Sequence, residues 1–352
     1  AMPLAGLYLH IPFCRAKCAY CDFPSFPGLD RLYDAYVQAV CRETAQRAPQ
    51  WAALRFDSLF IGGGTPTVLT AQAIEMLLEA FRRHLGIAPS AEISIEANPG
   101  TVDLDLLRAL RHCGVNRLSL GVQSLDDGEL ALLGRVHRRA EALAAYAQAR
   151  EAGFENVNLD LMLGLPGQRL AGWRRTLEEA IALGPEHLSL YILSLEEGTP
   201  LCARVALGAL PEPSEGVAAA MYELAERLLA QAGYRHYEIS NWARRRPDDD
   251  ANGLPTLACR HNLKYWRNEP YLGLGAAAHS YDGVARTANI LDPAAYIAHM
   301  ERGEEAVAAR EALDDAQRMG ETMMLGLRLI PGVERRRFQE RFGRRLEEVY
   351  AR

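Results

Sequence analysis

Short apolar runs alternate with longer stretches whose apolar positions recur about every 3.6 residues through the first two thirds of the chain. The runs Leu7 to Ile11, Ser58 to Ile61, Glu92 to Ala97, Arg117 to Leu120, Val157 to Leu161 and His187 to Ile192 predict strands. Between and after them the spacing predicts helices over Leu32 to Ala48, Ala71 to Leu85, Leu104 to His112, Ala140 to Ala152, Leu170 to Leu183 and Val217 to Ala232. Gly86, Gly114, Gly153, Gly184 and Gly233 stand where these helices should end, as left-handed caps. Strands alternating with helices in this way are the signature of parallel βαβ units, so the fold class is α/β. The breaker-rich stretch from Ala243 to Pro255 predicts a surface loop, and Asp292 to Arg352 reads as helices interrupted at Gly332 and Gly343.

Composition narrows the class. With 352 residues, 49% of them hydrophobic and 24% charged, the chain is long enough for one large α/β domain and a smaller appendage. A net charge of −6 argues against a general nucleic-acid binder, and Arg335 to Arg337 read as a solvated helix face. No stretch is apolar for the length of a membrane span and no leader pattern opens the chain, so a cytoplasmic location is expected. Only two of the 39 basic residues are lysines, Lys17 and Lys264. Seven cysteines, an odd number, argue against a disulfide framework.

Three of those cysteines, Cys14, Cys18 and Cys21, follow the first predicted strand within eight residues. Such a loop can ligate three corners of an iron-sulfur cube and leave one iron open for chemistry. A closed zinc site is the alternative, but it needs a fourth ligand and usually a second close pair, and Cys41, Cys113, Cys202 and Cys259 are scattered. In a parallel α/β barrel the loops after the strands share one face. That face would collect the thiolates, Gly62 to Thr67, Glu96 with Asn98 to Gly100, Gln123, and Asp160 ahead of Gly164 to Gly167. Glycines there let backbone amides approach a ligand. Taken singly, the glycine triplet could be a tight turn, Glu96 a helix cap and Arg135 a surface residue.

Together these strings resemble the radical S-adenosylmethionine superfamily, whose fold is an open partial (β/α)6 barrel. His10 to Cys14, Gly62 to Thr65, Ile95 to Pro99, Gly121 to Ser124, Leu133 to His137 and Gly164 to Gly167 resemble, more closely, its coproporphyrinogen III dehydrogenase (HemN) branch and the related HemW-type haem chaperones. The resemblance runs from about residue 6 to about residue 330. It implies a 4Fe-4S cluster on Cys14, Cys18 and Cys21, with S-adenosylmethionine chelated at the open iron and cleaved to methionine and a 5′-deoxyadenosyl radical. It also implies that Tyr8, Tyr20, Gly63, Gly64 and Thr65 lie against that cofactor. Glu96, Gln123, Arg135 and Asp160 match positions that hold its methionine carboxylate, its ribose hydroxyls or their surroundings. An electron donor such as flavodoxin or ferredoxin is implied as well.

Two features separate the branches. Dehydrogenases of this superfamily carry a fourth cysteine two residues after the third, where this chain has Phe23, and an N-terminal segment before the first strand, where only five residues stand ahead of Gly6 in this sequence. Arg260-His261-Asn262-Leu263-Lys264-Tyr265-Trp266 matches the His-Asn-x-x-Tyr-Trp string of the HemW branch, as do the flanking segments Tyr237 to Trp242 and Tyr271 to His279. Read without the family, His261 and its aromatics are a packed closing segment. With it, His261 becomes the haem candidate and His279 the next, while Cys259 reads as an inert thiol.

The resemblance therefore implies a protein that binds haem and passes it to an acceptor haemoprotein, with peripheral membrane association through that acceptor. Radical oxidative decarboxylation of coproporphyrinogen III to protoporphyrinogen IX is the alternative enzyme activity. A binding module without turnover is the third reading. The expected organisation is a cofactor barrel over residues 1–242, a barrel-closing segment over 243–300 and a helical C-terminal appendage over 301–352. Ala1 stands before Met2, and the tail is expected to be short against the C-terminal region of HemW-like chains.

Overall fold

A computed structural model describes residues 2–350; Ala1, Ala351 and Arg352 lie outside the described residues. All six predicted strands form, as β1 (Leu4–Ile11), β2 (Arg55–Gly63), β3 (Ile87–Ala97), β4 (Arg117–Gln123), β5 (Val157–Leu163) and β6 (His187–Ile192). They are parallel neighbours in that order. Along them apolar and polar residues alternate. Leu7, Leu9, Leu59, Ile61, Ile95, Leu118, Leu120, Leu159, Leu161, Leu188 and Leu190 point outward into one core beneath the helices. Ser119, Asn158, Asp160 and Ser189 line a cavity on the concave side. All-parallel strands usually read as continuous apolar runs because both faces are packed dry. Here the inner face is kept polar.

The helices follow the predicted spacing within a few residues. The one over Ala71–His84 starts where the Thr70 hydroxyl accepts the Ala73 N–H, and it buries Ile74, Leu77, Leu78 and Phe81 against the sheet. Gly184 caps its helix at φ +74°, and Gly114, Gly153 and Gly233 also adopt positive φ just past helix ends. Gly86 does not. Its helix instead stops at extended Leu85, and Gly86 hands its carbonyl to the Phe56 N–H.

Six further strands of the same sheet lie outside the predicted set: β7 (Tyr234–Glu238), β8 (Asn241–Arg244), β9 (Tyr271–Leu274), β10 (His279–Tyr281), β11 (Ala285–Asn289) and β12 (Val307–Ala312). The twelve-stranded sheet runs β12-β11-β10-β9-β1-β2-β3-β4-β5-β6-β8-β7. β8 joins β6 antiparallel, whereas β9 joins β1 parallel on the opposite side. Three expectations change accordingly. β8 crosses the expected boundary at 242/243. Among the described residues no strand pairing joins the two ends of the sheet, so the segment 243–300 extends the β1 edge instead of sealing the barrel seam. The region 301–352 is not all helix, because β12 pairs along β11 before the helices Asp315–Gly326, Arg335–Phe342 and Leu346–Val349.

One helix of the segment 243–300 packs at the floor of the cavity. The helix Arg260–Trp266 lies across β1 and β2, so close that a Cβ on Gly6 would stand 3.1 Å from the His261 ring. Its start is fixed by Glu92 of β3, whose Oε1 accepts the Arg260 N–H at 2.9 Å. Lys264 is buried and pairs with Asp57 at 2.8 Å and Glu269 at 3.0 Å. No described helix is long and apolar enough to cross a membrane.

Candidate functional site

At the carboxyl ends of the strands, and reaching down to the floor helix, lies a cavity of about 470 Å3. It is lined by the cofactor and metal candidates Tyr8, Cys14, Cys18, Tyr20, Cys21, Gly63, Gly64, Thr65, Glu96, Gln123, Arg135, Asp160 and His261.

The cysteine loop is held from four sides. Ala19 donates its N–H to the Leu133 carbonyl at 3.0 Å and accepts from Leu201 at 2.8 Å. That approach works because Gly134, at φ +70°, leaves its Cβ position to the Ala19 backbone. Arg15 reaches the Gly100 carbonyl at 3.0 Å, and Lys17 holds the Phe23 carbonyl at 3.1 Å. Arg135 donates to Cys18 Sγ at 3.3 Å and to the Gly121 carbonyl at 2.6 Å. Cys14 is buried, which pushes its thiol up, while Cys18 and Cys21 are half-buried. Among the described residues no three His, Cys, Asp or Glu side chains converge on one point as a single metal ion requires. A cluster would place each thiolate on its own iron, and the three thiols share one cavity.

Opposite the loop, Gly64 donates to the Ile11 carbonyl at 2.8 Å and Thr65 to the Phe13 carbonyl at 2.7 Å. A Cβ on Gly64 would run into the Phe13 carbonyl, and one on Gly62 would lie 2.9 Å from Glu96 Oε2. Both positions therefore require glycine. Gly63 donates its N–H to Glu96 Oε2 at 3.1 Å. Burial, with the Asp160 charge adding to it, pushes the Glu96 carboxyl up to about 8. Asp160 is also pushed up by burial while accepting from Asn158 at 2.8 Å and Ser119 at 3.2 Å. Gln123 adopts φ +66° where the β4–β5 register shifts, an unfavourable backbone for a non-glycine residue that aims its amide into the cavity.

His261 is buried with both ring nitrogens engaged: Nδ1 with Ser58 Oγ at 3.1 Å, Nε2 with Tyr265 Oη at 2.9 Å. Burial first, then the Lys264 charge, lowers its pKa to about 3, so the ring is neutral. Tyr8 and Phe60 stack beside it at 6.2 Å and 5.5 Å between centroids. Burial also raises the hydroxyl pKa values of Tyr8 and Tyr20. His279 is exposed on β10, outside the cavity lining. Cys259 is a buried thiol, pushed up to about 12 by burial, with Sγ 3.7 Å from Glu92 Oε1.

Comparison with known proteins gives this arrangement a family. The family model of the radical SAM superfamily matches residues 8–180, and that of the HemN C-terminal domain matches residues 313–352. A heme chaperone HemW from Synechocystis is 42% identical over 340 residues, covering 94% of this chain and 79% of that protein. The heme chaperone HemW of Bacillus subtilis is 37% identical, covering 99% of this chain and 89% of that protein. The chain belongs to the HemW family of the radical SAM superfamily. Its fold matches the solved structure of coproporphyrinogen III oxidase (HemN) from Escherichia coli, a radical SAM enzyme, with a TM-score of 0.83. The identity there is 27%, over 99% of this chain and 81% of that one.

Several lining residues went unread in the HemW-type sequence. Phe60, Arg117, Ser119, Asn158, Ser189 and Tyr191 all face the cavity. Their signal was the period-two alternation itself, polar at Arg117, Ser119, Asn158, Asp160 and Ser189 where a dry parallel sheet would be apolar.

Proposed function

We propose that this protein is a haem carrier that binds one haem per chain and hands it to an acceptor haemoprotein, with a 4Fe-4S cluster and S-adenosylmethionine in the same cavity. The observation that carries this reading is the meeting of three thiols, the glycine strip, two half-buried acids and the His261 string in one cavity of a HemW-family chain. When bound, the cluster and S-adenosylmethionine supply one-electron redox chemistry. The chain's own part is positional. Cys14, Cys18 and Cys21 would hold the cluster, and Arg135 would steady the Cys18 sulfur. Glycine amides at 63–64, with Thr65, Glu96, Gln123 and Asp160, would hold the polar groups of S-adenosylmethionine beside Tyr8 and Tyr20. Membership of the superfamily supports a reduced flavodoxin or ferredoxin as donor, and we assign the protein to the cytoplasm.

His261 is the haem ligand in this reading. Burial keeps its imidazole neutral, the form that binds iron, and with the proton on Nδ1, donated to Ser58 Oγ, the Nε2 lone pair would be left for the metal. Nε2 would then exchange the Tyr265 hydroxyl for the haem iron.

The likeness to HemN favours a second reading, decarboxylation of coproporphyrinogen III. Against it stands Phe23, exposed at the position of the dehydrogenases' fourth cysteine. Mixing the anaerobically haem-loaded protein with a haem-free acceptor haemoprotein tests the reading. The Soret band should move to the acceptor's spectrum, and Cys14→Ser, Cys18→Ser or Cys21→Ser should each abolish the cluster's visible absorption. Retention of haem with all acceptors, together with decarboxylation of coproporphyrinogen III, would install the second reading.

A further inference from the structure

The cavity floor holds a cation whose side chain makes no hydrogen bond among the described residues. Arg117 opens β4 with 2% of its surface exposed, and its side chain lines the cavity. Its Nε is buried without a hydrogen-bond partner, and among the described residues only charges at a distance act on the guanidinium. The acids nearest to hand are engaged elsewhere. Glu92 accepts from the Arg260 N–H at 2.9 Å, and Asp160 is held by Asn158 at 2.8 Å and Ser119 at 3.2 Å. Ser94, the cross-strand partner of Arg117, also has a buried hydroxyl with no partner. Glu92 balances the Arg117 charge without a hydrogen bond to it, so the guanidinium's donors stay unspent, and a planar fork of N–H donors fits a carboxylate or a phosphate.

We infer that Arg117 anchors a carboxylate of the molecule that fills the lower part of this cavity. The haem reading, on which this assignment rests, supplies a carboxylate of the right kind in the porphyrin propionates. Tyr8 and Phe60 flank the His261 ring, and Arg117 stands in the same cavity for the acid. A free small carboxylate would offer the same chemistry.

The test compares haem with haem dimethyl ester, in which the acids are blocked, titrated into the cluster-reconstituted protein and its Arg117→Met and Arg117→Lys variants. Free propionate is the third ligand, read by thermal shift. The wild type should bind haem about tenfold more tightly than the ester, a preference that Arg117→Met removes and Arg117→Lys keeps in part. Ester affinity should stay as in the wild type. If Arg117→Met does not fold, the wild-type preference and the lysine variant still decide. A propionate shift that depends on Arg117, with haem and ester bound alike, keeps the anchor and assigns it to a free acid. Equal affinities for haem and ester with no propionate shift overturn the anchor while haem binding stands. Failure of haem and ester to bind overturns the haem reading itself, and the propionate arm then judges the anchor alone.

Discussion

Glu96 is the residue whose chemistry depends most on where the fold puts it. In an unfolded chain its carboxyl ionises in the ordinary range, but burial and Asp160 push it up to about 8 in the folded protein. Between those values the folded state keeps a proton that the unfolded state has released. Its contribution to stability is thus present at low pH and is lost as pH rises towards 8. In protein free of cluster and S-adenosylmethionine, Glu96→Gln should gain on the wild type in urea midpoint from pH 5 to pH 8. Parallel midpoints across that range would contradict the burial argument. Glu96, Gln123, Arg135 and Asp160 were legible through the strings around them, and all four line the cavity. Arg117 was not legible, because a charged residue at a strand start reads as solvated until its burial is seen. The Arg135 partners were equally hidden, since Cys18 is far away in sequence and is brought to it by tertiary contacts such as that of Ala19 with Leu133.

At the scale of elements, the six parallel strands were legible because their outward Leu, Ile and Val residues repeat between strong helical patterns. The other six were not. β10 has three residues and pairs with β11, while β12, Val-Ala-Ala-Arg-Glu-Ala, has a helix-forming composition and is a strand only because β11 offers it an edge. Loops that carry the site are fixed by backbone contacts as tight as those between strands. Gly64 shows how tight. Its Cβ position is taken by the Phe13 carbonyl, a backbone atom that cannot swing aside. Gly64→Ala should therefore lower stability by about 1–3 kcal/mol and weaken S-adenosylmethionine binding, as read from a urea midpoint and a binding isotherm. An unchanged isotherm would show that the glycine strip does not carry the cofactor.

For the whole molecule, the C-terminal helices are wired to the cavity floor by a short chain of charges. Lys264, on the helix that presents His261 and Tyr265, pairs with Glu269 at 3.0 Å, and Glu269 pairs with Arg337 at 2.6 Å. Arg341 adds a bond to the Tyr281 hydroxyl at 2.8 Å. One of the chain's two lysines is thus spent where the barrel floor meets the region matching the HemN C-terminal domain, and the other holds the cysteine loop. The radical SAM cavity and the His261 string are parts of one site in this arrangement, and haem is what should join them. The most direct test is an anaerobic titration of haem into the cluster-reconstituted protein, followed at the Soret band, beside His261→Ala and Tyr265→Phe. Saturation at one haem per chain is expected, with affinity at least about tenfold lower in His261→Ala and undiminished in Tyr265→Phe, which frees Nε2. The absence of saturable binding would contradict the account, and full-strength binding by His261→Ala would return that histidine to the packed floor of the barrel.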